Sequence, residues 1–173
     1  MKTEVAELDE TRMTAESRQF AAELFSRFPE LRPYAAMERA FGDPEWSVVV
    51  TVPAPSGDVD AHLVIWVDNG REPSVAFGRW HTHESVWAIG EDGESHASLL
   101  DLVAGIFAER FVLCEDVGRE GDGSSTILDL TVRDAILEEL TSKYSPGRAR
   151  LRSWTGKRDR TVDVDSLESD GSA

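Results

Sequence analysis

The chain is short of cysteine, of cations and of long apolar runs, and each shortage removes a class of protein. A single cysteine in 173 residues, Cys114, cannot close an internal disulfide. Its neighbours in FVLCED read as a strand, which makes the thiol a small core residue rather than a nucleophile. Lysine and arginine number 18 against 33 aspartates and glutamates, a formal net charge of -15. Such a field repels phosphates and anionic lipid, so neither nucleic acid nor a membrane is expected as a partner. No stretch approaches the roughly 20 apolar residues of a spanning helix, and MKTEVAELDETRM lacks the apolar core of a secretory signal. The expected compartment is the cytoplasm. No Gly-x-Ser-x-Gly elbow, phosphate loop, dinucleotide fingerprint or internal repeat occurs, and no cofactor is implied.

What is present reads as one α+β domain over residues 1–165, followed by a disordered acidic tail over 166–173. From Thr14 to Phe28, apolar residues recur at Phe20, Ala21, Leu24, Phe25 and Phe28. That spacing predicts a helix capped by Thr14 and closed by Pro29 and Pro33. Trp46 to Val52, Ala61 to Val67 and Ser74 to His81 read as three consecutive antiparallel strands, linked by PAPSGDVD and by DNGREP with its Asn-Gly turn. The period then lengthens. Glu94 to about Arg110 predicts an amphipathic helix facing the sheet through Leu100, Val103 and Phe107. FVLCED and STILDL read as short strands around GREGDG, TVRDAILEELTSKY as a helix capped by Thr131, and RARLRSW with RTVDV as a terminal hairpin. The sum is an antiparallel sheet of about five to six strands with helices packed mainly on one face.

Within this frame VAFGRWHTHESVW places two histidines one residue apart. If the strand runs through, Val75, Phe77, Arg79, His81 and His83 share one face, and two imidazoles could converge on an ion. Zinc requires a third protein ligand, for which Glu84, His96 and Asp101 are the local choices. The pattern is similar to that of JAB/MPN metallopeptidases, in which His-x-His is followed after about seven residues by Ser-x-x-Asp. Here fourteen residues precede SLLD, and Glu84 stands where a proline belongs. Cupin-type spacing fails as well, with Glu84 too early and Glu91 too late. The bland reading, in which His81 and His83 finish a strand and bind no metal, is preferred.

GRWHTHES and RLRSWTGKRDR each set tryptophan beside arginine, the residues most enriched at interface hot spots. These two segments resemble those of small bacterial proteins of unassigned function, some of which are similar to immunity proteins of toxin systems. That resemblance implies a binding protein, an inhibitor or immunity-type partner of another protein, with no catalytic residues to carry over. The candidate contact residues are Arg79, Trp80, His81, His83, Glu84, Arg152 and Trp154. The acidic surplus would suit a basic protein partner. The alternative is a small metal-dependent hydrolase with His81 and His83 as ligands and Glu84 as general base.

Overall fold

A computed structural model of the chain describes residues 3–40, 46–67, 71–83, 98–117, 125–131, 140 and 147–164. Contacts divide it into two interleaved compact units. Met1–Pro53, His62–Phe77 and His81–Asp101 form the first; Ala54–Ala61, Gly78–Trp80 and Leu102–Ala173 form the second. The fold is mixed α and β with antiparallel sheets. The expected single sheet is corrected to two, of six and four strands.

The first sheet is a meander, β1 (Thr3–Ala6), β2 (Ala35–Ala40), β3 (Ser47–Val52), β4 (Leu63–Val67), β5 (Ser74–Phe77) and β6 (Trp80–His83), in that spatial order. Along β3 the continuous β-branched run is covered on both faces. Val48 and Val50 are fully enclosed, while Val49 packs with Val64, Ala76 and Trp66 on the other side. Between β1 and β2 runs α1 (Ala15–Arg27), with Thr14 Oγ1 accepting from the Ser17 N–H at 3.2 Å as the sequence predicts. Its buried face is Ala21, Leu24 and Phe25. Strands β1 and β2 were not foreseen, because Thr-Glu-Val-Ala is short and Ala-Ala-Met-Glu-Arg-Ala is made of helix formers. Cross-strand pairing on β3 overrides that propensity.

The strand expected over Ser74–His81 is two strands. Gly78 has φ +60° and Arg79 stays out of the positive region, the arrangement of a type II′ hairpin turn with glycine first. The backbone therefore reverses at Gly78, and the face proposed for Val75 through His83 does not continue through it.

The second sheet has the order β10-β9-β7-β8, with β7 at Phe111–Val117, β8 at Ser125–Asp129, β9 at Arg148–Arg152 and β10 at Arg160–Asp163. Strand β7 pairs on both sides, with β8 and β9, so its backbone groups are used within this sheet. Val112, Cys114, Leu128, Leu140, Ala149, Leu151 and Val164 form one buried cluster there. Cys114 is buried and free of any disulfide.

The second helix, α2 (Leu99–Phe107), buries Leu99, Leu102, Val103 and Ile106 completely. This is the i, i+3, i+4, i+7 stripe; of the expected face Leu100 and Val103 are buried too, and only Phe107 is corrected, being half-buried beside Trp154 at a ring separation of 5.1 Å. The helices also do not gather on one face of one sheet, since α1 belongs to the first unit and most of α2 to the second. Residues 84–97, the loops DNG and GREGDG, the helix expected over 132–144 apart from Leu140, and the tail from 165 onward lie outside the described residues. No helix among the described residues is long and apolar enough to cross a membrane.

Candidate binding site

The second unit contains a charge centre built around Arg152. On β9, Arg150 and Arg152 share a face with Leu113 and Glu115 of β7, because the register opposes Leu113 to Arg152 and Glu115 to Arg150. The Arg152 side chain is only 7% exposed. It meets three carboxylates: Nη1 donates to Asp58 Oδ2, Nη2 to Asp60 Oδ2 at 3.3 Å, and Nε lies 2.8 Å from Glu115 Oε2. The last contact is electrostatic rather than directional, since Nε has no aligned acceptor among the described residues. Burial works against the charge on Arg152, but Asp58, Glu115 and Asp60 outweigh it and raise its pKa. For Asp58, burial alone would raise the carboxyl. The Asp60 N–H, the Arg152 guanidinium and the charge of Arg150 reverse this and hold it below the usual range.

The two aspartates come from a loop, Ala54–Ala61, that this arginine fixes. Gly57, at φ +75°, donates to the Ala54 carbonyl at 2.9 Å; the Asp58 N–H donates to Ser56 Oγ at 3.2 Å and the Asp60 N–H to Asp58 Oδ1 at 3.0 Å. Ala54 and Ala61 are buried and pin the two ends. With Asp58 and Asp60 both drawn to Arg152, the residue between them faces outward. Val59 is 80% exposed. Gly78 lets the loop come this close: a Cβ there would lie 2.4 Å from the Asp60 carbonyl oxygen and 2.6 Å from Leu113 Cδ2. Beside the loop is a cavity of about 430 Å³ lined by Asp60, Arg79, Glu115, Asp116, Val117, Arg150 and Arg152.

Of the residues singled out in the sequence, Arg79 and Arg152 are thus brought to one cavity, Arg79 exposed and Arg152 buried. Trp80 follows Arg79 and is half-buried. His81 and His83 are both exposed on β6 while Thr82 is buried, and their rings stand edge to face at 5.9 Å. Glu84 and His96 lie outside the described residues. Asp101 is held elsewhere: it accepts from Ser98 N and Oγ, Ser98 Oγ accepts from the Asp101 N–H, and Arg27 pairs with it at 2.7 Å. Ser98-Leu-Leu-Asp101 is therefore a capping box at the start of α2, and Arg27 with Ser98 holds the Asp101 carboxyl below its usual range. Among the described residues no group of three His, Cys, Asp or Glu side chains could hold a metal ion.

Trp154 is buried against Phe107, at the start of a loop that is itself built. Asp159 Oδ1 accepts the Ser153 N–H at 2.7 Å, Ser153 Oγ accepts the Arg158 N–H at 3.0 Å, and Glu109 Oε1 accepts both N–H and hydroxyl of Thr155. Sequence reasoning missed Asp58, Val59, Asp60 and Glu115. The available signal was Asp-Val-Asp inside a turn, two carboxylates flanking one apolar residue. Comparison of the chain with protein-family models, with curated proteins and with solved structures gives no match.

Proposed function

We propose that the chain acts by binding another protein, as an inhibitor- or immunity-type partner, and that the loop Ala54–Ala61 is its contact surface. One observation carries the reading: an 80% exposed valine held outward by two aspartates that a buried arginine clamps. A guanidinium saturated by carboxylates is neither acid, base nor nucleophile near neutral pH; its effect here is to remove freedom from a loop. A pre-ordered apolar knob loses little entropy on docking, and it adjoins a cavity with both signs of charge that can select orientation. The net charge of -15 favours a basic partner by steering its approach.

The test places a photoreactive side chain at position 59 and irradiates cells that produce the protein. The expected outcome is one discrete adduct with a basic protein, weakened by raised salt, and no such adduct from the same group at position 34, where Tyr34 is also exposed. Absence of an adduct at 59, or equal labelling at both positions, rejects the proposal.

A further inference from the structure

The hairpin of β9 and β10 reverses the charge balance of the chain. Residues 147–160 hold six of the 18 cations, Arg148, Arg150, Arg152, Lys157, Arg158 and Arg160, against one acid, Asp159. With almost two acids per base overall, a cation placed at random should find a carboxylate. Lys157 and Arg160 have no ion-pair partner among the described residues. Arg158 is only loosely engaged, its Nε 3.6 Å from Glu109 Oε2, and Asp159 spends one carboxylate oxygen on the Ser153 N–H inside the loop.

These three cations, together with Asp159, rim a cavity of about 260 Å³ whose floor is Leu130 with the nearly enclosed Val112 and Leu151. The register explains the juxtaposition, since Arg160 stands directly opposite Leu151 and so lies on the same face as the buried cluster. We infer that this cavity is a binding site for a small apolar carboxylate, with Arg160 and Lys157 on the carboxylate and the hydrocarbon stem on Leu130, Leu151 and Val112. Arginine offers a planar fork that matches a carboxylate, and lysine adds a point charge. Below the roughly 300–1,000 Å³ of pockets for drug-sized ligands, this volume takes a short chain or a single residue. A monoanion also suits the field of an acidic chain better than a polyanion, which the net charge repels. The site is independent of the loop at Val59.

The carboxylate could belong to a free acid or to the C-terminal residue of a peptide, and calorimetric titration of the full chain separates these. Hexanoate should bind saturably at one site, and acetate, lacking the stem, and hexan-1-ol, lacking the charge, should bind at least about tenfold more weakly, as loss of a charge-assisted contact or of the buried stem predicts. Lys157→Gln with Arg160→Gln should weaken hexanoate by about tenfold or more, while Arg18→Gln, a cation removed elsewhere, should leave it unchanged. Leu130→Ser, which keeps both cations, should also weaken hexanoate, with its unfolding midpoint measured alongside because Leu130 packs against the buried cluster as well. A leucine-ended tetrapeptide that outbinds hexanoate identifies a peptide terminus; preference for hexanoate identifies a free acid. Absence of saturable hexanoate binding, binding that survives the double substitution, or equal binding of the amidated peptide overturns the inference.

Discussion

Arg152 keeps its charge inside the second unit because carboxylates surround it, and that dependence is mutual. Arg152→Ala would leave Asp58 and Glu115 partly buried without a counter-charge, and removing one member of a buried ion pair typically costs about 3–5 kcal/mol. Denaturant unfolding should show a loss of that order, and limited proteolysis should cut first within 54–61. A loss below about 1 kcal/mol would mean that the loop holds itself. Asp129 shows the same chemistry in a form that pH reads. Burial would raise its carboxyl, but hydrogen bonds from Arg110 and Thr131 and the Arg110 charge lower it from 3.8 to about 2. A carboxylate depressed on folding contributes stability that is complete above the unfolded pKa and is lost as pH falls toward the folded one. Between about pH 4 and pH 2 the protein should therefore lose on the order of 1–2 kcal/mol through this group. Asp129→Asn should flatten that part of the stability profile in acid titrations followed by circular dichroism. At this scale the sequence was half legible. Alternation sets Arg150 and Arg152 on one face of β9, but the strand ends at Arg152 and leaves Trp154 in the loop, and whether that face meets water depends on Asp58, 94 residues away.

Elements divide in the same way between local signals and distant ones. The start of α1 was legible because its cap lies within four residues, and the position of α2 was legible because its period is strong. The face of α2 is legible at Leu100 and Val103, both buried, and not at Phe107, since Leu99–Leu102–Val103–Ile106 and Leu100–Val103–Phe107 are both apolar stripes and only packing ranks them. Ile106→Ala should cost about 2–5 kcal/mol and more than Phe107→Ala, because Ile106 is fully enclosed and Phe107 is only partly buried. Unfolding midpoints of the two variants decide this, and the reverse order would restore the other face. The end of α2 has a cause that no periodicity contains. Arg110 N–H donates to the Gly105 carbonyl at 2.8 Å and Glu109 N–H to Ile106 at 3.0 Å, a Schellman motif whose left-handed residue, at φ 55°, is Glu109 instead of glycine. Its carboxylate is what Thr155 requires. Burial acts to raise that carboxyl, and the Thr155 and Ser153 hydrogen bonds with the Arg158 charge prevail and lower it. The β5–β6 reversal was signalled by Gly78, but a glycine within an apolar run fits either a bulge or a turn, and the Asp60 carbonyl that fills its Cβ space comes from a different loop.

For the molecule as a whole, charge and exposed apolar surface make opposite demands, and Val59 is where they meet. A net charge of -15 opposes self-association through like-charge repulsion, which lowers the cost of exposing a hydrophobic side chain. The same field accelerates encounter with a basic surface, and that acceleration fades as salt shortens the screening length to about 8 Å at physiological ionic strength. Steering and docking can therefore be separated by experiment. Val59→Asp exchanges an exposed side chain without touching the Asp58 and Asp60 contacts to Arg152, so folding stability should stay within about 0.5 kcal/mol of the parent. Once the partner is trapped through position 59, association rates for that pair should change little in the variant, because the chain is if anything more acidic. Dissociation should accelerate, because the knob no longer fills an apolar pocket. Raised salt should do the converse, slowing association and leaving dissociation nearly unchanged. A variant that loses stability, or one whose defect lies wholly in association, would show that Val59 serves the fold or the field and is not the docking contact.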